Sequence, residues 1–149
     1  MITEDYCSYE VAKLLKEKGF DEPTTFVWYQ HLPISLDCQN LVNKKARDYF
    51  YHDETTEHNS SYKNSIHKPE YIHGDIFSCP THQMAMKWLR DAHDIIIIID
   101  YDEDEDCEDN ERYGFTIYRK NERKVDLATF PTYEQAVEAA LKYCLTNLI

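Results

Sequence analysis

Apolar residues recur at spacings of three and four in three stretches of the chain, the pattern of a helix with one face turned to a core. Each stretch opens on a hydroxyl residue placed to accept a hydrogen bond from an orphan N–H of the first turn. Ser8 precedes Tyr9-Glu10-Val11-Ala12, Thr81 precedes His82-Gln83-Met84-Ala85, and Thr132 precedes Tyr133-Glu134-Gln135-Ala136, where Gln135 stands in the capping-box position. The expected inner face of the first helix is Val11, Leu14 and Leu15, and Gly19 ends that helix with Phe20 folding back. Met84, Ala85, Trp88, Leu89 and Ala92 form the stripe of the second. The third has the longest, running through Tyr133, Ala136, Val137, Ala140, Leu141, Cys144, Leu145 and Leu148.

Strand signals fill the intervals. Residues 25–30 are β-branched and aromatic between Pro23 and Pro33, and residues 46–51 offer a second strand able to pair with them. Ile95 to Ile99 has no polar face, which predicts a central strand covered on both sides. Residues 113–118 alternate Tyr113, Phe115 and Ile117 against Gly114, Thr116 and Tyr118, and residues 124–129 alternate through Val125 and Leu127. Stretches 95–101, 113–119 and 124–129 therefore predict an antiparallel meander under the last helix. Residues 52–70 are polar and weakly periodic, which predicts a long mobile surface excursion. The fold class that follows is α+β: three helices with an antiparallel sheet, a C-terminal three-strand meander plus packed helix, and an N-terminal helix plus strand pair. It fits a single domain over residues 1–149, with an imperfect αβ duplication relating 8–51 to 81–129. Trp88, Leu89, Ile97, Phe115, Val137, Ala140 and Leu141 are expected to be buried together.

Charge changes the picture in one place. The net charge is -12, and nine carboxylates lie between Asp100 and Glu111, so the rest of the chain is close to neutral. One acidic tongue on a nearly neutral body argues against a surface that imitates nucleic acid throughout. The five cysteines, Cys7, Cys38, Cys79, Cys107 and Cys144, are odd in number and irregularly spaced. With acidic residues where an export signal would be basic, they predict reduced thiols in a cytoplasmic protein. The longest apolar run is five residues, so no membrane span is expected.

Candidate chemistry is sparse. Counting Asp100 as the first position of a calcium loop puts Asp102, Asp104, Asp106 and Glu111 at further ligand positions, but the turn position that wants Gly holds Glu105. These five residues make a candidate site for weak cation binding, and a solvated hairpin tip is the competing explanation. His52 with His58, His67 with His73, and Cys79 with His82 are short-spaced pairs of zinc-ligand type, yet no paired CxxC units frame them. Cys79, just ahead of a helix with His82 nearby, is a nucleophile candidate without a residue placed by sequence to orient the base. Three isolated glycines supply no phosphate-cradling loop, and no cofactor is expected. A meander followed by a helix, with Arg119, Lys120, Arg123 and Lys124 in one turn, is similar to the AP2 type of DNA-binding module, but the acidic tongue in the other turn would repel a duplex. Exposed rings among Trp28, Tyr29, Tyr49, Phe50 and Tyr51 would make anchors for a partner, and core packing is the competing use.

Three stretches carry a resemblance: residues 11–20, Val-Ala-Lys-Leu-Leu-Lys-Glu-Lys-Gly-Phe; residues 79–90, Cys-Pro-Thr-His-Gln-Met-Ala-Met-Lys-Trp-Leu-Arg; and residues 133–145, Tyr-Glu-Gln-Ala-Val-Glu-Ala-Ala-Leu-Lys-Tyr-Cys-Leu. They resemble a family of small proteins of unknown role encoded by gut-bacterial, Bacteroides-type phages and mobile elements. The resemblance implies a phage or prophage setting and carries over no functional residue. The expectation is a small accessory protein that binds a macromolecule, a host or phage protein, without catalysis. Specific binding of duplex DNA is not expected, and the sequence leaves the oligomeric state open. The alternatives are an anti-defence factor that sequesters a ligand or mimics DNA through the acidic loop, an AP2-like DNA-binding module, and a cation-dependent hydrolase.

Overall fold

A computed structural model of the chain describes residues 4–22, 24–33, 49–57, 61–62, 72–103 and 111–149. In chain order the elements are α1 (Tyr9–Glu17), β1 (Thr24–Pro33), β2 (Tyr49–Glu57), β3 (Ser61–Tyr62), β4 (Ile72–Cys79), α2 (His82–His93), β5 (Ile95–Tyr101), β6 (Tyr113–Arg119), β7 (Glu122–Phe130) and α3 (Tyr133–Asn147). The class is α+β, with every strand pairing antiparallel. One sheet has the order β2-β1-β4-β3 and the other is the meander β5-β6-β7.

The helices start where the hydroxyl residues stand. Ser8, Thr81 and Thr132 each accept from the backbone N–H three residues on, at 3.3, 3.2 and 3.2 Å. Gly19 takes a φ of +92°, which lets the Phe20 N–H reach Leu15 O at 2.9 Å and the Gly19 N–H reach Lys16 O at 3.1 Å. That pairing is a Schellman turn, and it puts Phe20 into the core beside Leu15. The last turn of α3 has no basic residue of its own. Lys18 and Arg119 supply the positive charge instead by donating to the carbonyls of Ile149 and Leu148.

The core lies between the meander and the helices. Leu89, Ile97, Phe115, Val137, Ala140 and Leu141 are buried in one cluster, with Trp88 packed against it at partial burial. Ala136, Val137, Ala140, Leu141, Cys144 and Leu145 are all buried on α3, whereas Tyr133 at its start and Ala92 at the end of α2 are exposed. Both exposed positions belong to terminal turns, and Tyr133 touches the sheet only at its end, where its ring meets Tyr113 of β6 edge-on.

Two expectations need correction, and one strand is an addition. β5 is an edge strand of the meander, not a central one, and helices cover only one of its faces, so Ile95 and Ile97 are buried while Ile96 and Ile98 point outward. Residues 52–57, expected to begin a surface excursion, continue β2 against β1, and Ser61–Tyr62 form β3. Residues 58–60 and 63–70 lie outside the described residues. β4 was not anticipated at all, although it is the neighbour of β1 along that strand's length, from Phe26 opposite Cys79 to Pro33 opposite Ile72.

Candidate functional site

Residues 5–8 run as an extended segment ahead of α1 and are stitched to the residues that open α2. Tyr6 bridges to Thr81, Cys7 N–H donates to Pro80 O at 3.0 Å, and His82 N–H donates to Asp5 O at 2.9 Å. Trp28 on β1 adds a bond from its indole N–H to Cys7 O at 3.0 Å. Three chemically active side chains meet at this seam. Cys7 comes from the segment, His82 from the first turn of α2 and Glu138 from α3, with one ligand atom of each within 4.8 Å of the others.

Glu138 is the most heavily bonded of the three. Its carboxylate accepts from Ser8 N–H at 2.8 Å, from Ser8 Oγ at 2.7 Å and from His82 Nε2 at 2.9 Å. The carboxylate therefore sits at the positive end of α1 and joins all three helices. Burial works against the charged form of Glu138, but the bonds from His82 and from the backbone and side chain of Ser8 outweigh it and hold the carboxyl below its ordinary value. The His82 ring is 7% exposed, and its Nδ1 is buried with no hydrogen-bond partner among the described residues.

The thiols are held neutral. Burial, reinforced by the charge of Glu138 and by Cys79, pushes Cys7 well above the ordinary thiol value. Burial likewise pushes Cys79 up to about 12. The Cys79 thiol is spent on Cys7 O at 3.2 Å, so the nucleophile considered at this position is a packed structural thiol. Spacing along the chain pairs His82 with Cys79, whereas the fold gives His82 to Glu138 and places Cys7 beside them. Cys7, Cys79 and Cys144 are free thiols, and Cys38 and Cys107 lie outside the described residues.

An open concavity of about 580 Å³ lies over the cluster, lined by Cys7, His82 and Glu138 together with Trp28, Phe130, Glu4, Asp5 and Glu134.

A second surface is the outer face of the meander. Ile96 and Ile98 are 45% and 44% exposed on β5, and among the described residues that strand bonds only to β6. Asp100 follows on the same face, accepting from Thr116 Oγ at 2.9 Å. The five carboxylates proposed for a cation divide between regions. Asp100 lies one residue before the end of β5 and Asp102 extends the ladder through its N–H to Arg112 O at 2.7 Å, with Glu111 exposed on the returning side. Asp104 and Asp106 lie outside the described residues, as do the side chains of His52, His58, His67 and His73. In the opposite turn, Arg119 is given to Leu148 O, Arg123 pairs with Asp126 and Lys124 pairs with Glu122.

Comparisons with protein-family models, with curated proteins and with solved structures find no match for this chain.

Proposed function

We propose that this protein acts by binding another protein, in the phage or mobile-element setting that its sequence resemblance implies, and that β5 with the sheet face around it is the binding surface. The observation that supports this most is β5 itself. It is a seven-residue strand of five isoleucines and a polar end, paired on one side only among the described residues, with two isoleucine side chains left outward. An edge of that kind invites pairing with another chain.

The occupant that fits is an extended segment added to the sheet as a strand. Its backbone would satisfy the edge, its alternate apolar side chains would cover Ile96 and Ile98, and basic residues near its N-terminal end would meet Asp100 and Glu103 in antiparallel pairing. Charge favours such a segment over a second copy, because two chains at -12 repel each other. The probe is a labelled peptide of alternating valine and threonine with two N-terminal lysines. Anisotropy should show it binding roughly tenfold tighter than the same peptide with two glutamates, the return expected for two exposed charge pairs. Ile98→Lys should abolish the binding. Equal affinity for the two peptides, or indifference to Ile98→Lys, would refute the surface, and a dimer by light scattering would assign it to self-association.

Duplex DNA does not fit this face. Asp100 and Asp126 flank Thr116 on it, and three of the four cations in the β6–β7 turn are engaged within the chain. Random and host-derived duplexes at physiological salt should show no complex tighter than about 1 µM, the limit of ordinary non-specific binding. A tighter complex would bring back the AP2-like reading.

A further inference from the structure

We infer that Cys7, His82 and Glu138 form a binding site for one zinc ion, with the fourth coordination position open to the concavity. The donor set is one sulfur, one imidazole nitrogen and one carboxylate oxygen, drawn from three elements that the fold brings to one point. Thiolate with imidazole selects zinc over magnesium or calcium, which take shells of oxygen. Three protein ligands with one open position is the arrangement of reactive zinc sites, in which water or a substrate oxygen completes the tetrahedron.

The geometry is close to what the ion requires. Bonds of 2.0–2.3 Å at tetrahedral angles separate neighbouring donors by roughly 3.3–3.6 Å. His82 Nε2 and Glu138 Oε1 already stand 2.9 Å apart, and the widest separation in the set is within 4.8 Å. Small side-chain rotations cover the difference, while the backbone bonds of Cys7 and His82 keep their positions. Charge also balances. One thiolate and one carboxylate neutralise the dication; the thiol proton leaves to solvent as the sulfur–zinc bond forms, and the proton that His82 Nε2 donates to Glu138 moves to Nδ1 so that Nε2 binds as a neutral imidazole.

A helix tie alone accounts for the bonds from Ser8 and His82 to Glu138. It does not account for a thiol placed at the same point. Glu4, Asp5 and Glu134 on the rim add a field that draws a cation inward.

The test uses the full chain, stripped with chelator and titrated with cobalt(II) and then zinc. One cobalt per chain should produce a thiolate-to-metal charge-transfer band, displaced by one equivalent of zinc. Cys7→Ser should remove the band and His82→Gln, which deletes a direct ligand, should weaken binding by more than the ~10–100-fold that an outer-shell change costs, whereas Cys79→Ser should leave both unchanged. Circular dichroism checks that each variant is folded. X-ray absorption at the zinc edge of the unsubstituted protein does not depend on any variant, and should show one sulfur among nitrogen and oxygen neighbours. No charge-transfer band, a band that survives Cys7→Ser, or a zinc shell with no sulfur or with several sulfurs would each overturn the site.

Discussion

Leu141→Ala should cost about 2–5 kcal/mol of stability, the range for emptying a leucine's volume in a packed core. Leu141 is fully buried in the middle of α3, in the cluster that joins the helix stripes to the inner face of the meander. Removing it leaves neighbours such as Phe115 and Val137 without a surface to pack on, and those residues are themselves held by strand pairing and helix bonds that resist collapse. At this chain length the loss corresponds to a fall in Tm of roughly 5–15 °C. Thr146→Ala, on the exposed side of the same helix, should stay within about 0.5 kcal/mol. A Leu141→Ala change below about 1 kcal/mol in denaturant titration would contradict the packing of α3 against the sheet.

Glu138→Ala should be the second-largest loss, about 2–3 kcal/mol, because charge-assisted bonds to Ser8 and His82 disappear together and the donors stay partly buried. Glu138→Gln keeps the shape and removes the charge, so it isolates the pH dependence. The folded-state pKa of Glu138 lies below its unfolded value. Its contribution is therefore complete above the unfolded pKa, roughly 4.3, and is lost as pH falls through the folded one. Urea titrations of the two proteins should differ above about pH 5 and converge at lower pH. A difference that persists into strong acid would show that the carboxylate's charge does not hold the three helices together.

The local parts of this fold were legible because their causes are local. Hydroxyl caps, the glycine at the end of α1 and the alternation of β6 each act over a few residues, and Ser8, Thr81, Thr132, Gly19 and Phe115 stand where such rules put them. The run Ile95–Ile99 misled because composition gives the hydrophobicity of a strand and not its place in a sheet. A strand covered on both faces and an edge strand with an outward aliphatic face read alike. β4 escaped because its alternation is broken by Gly74 and carries the polar residues His73, Asp75 and Ser78, whereas its partner β1 lies far away in the chain. The Cys7–His82–Glu138 cluster was least legible of all. Its members are separated by 75 and 56 positions, and only the pairing of Tyr6 with Thr81 and the packing of α3 bring them together. The one local sign was Glu138 itself, a carboxylate beside the long apolar stripe of α3.

The proposed binding surface requires that β5 have an edge available to a partner strand. Amide hydrogen exchange along Ile95–Tyr101, with and without the lysine-ended peptide, tests that directly. Amides of β5 facing away from β6 should exchange readily in the free protein and become protected when the peptide is added, and Ile98→Lys should prevent the protection. Outward β5 amides that are already protected in the free chain, or a peptide that protects some other strand, would contradict it.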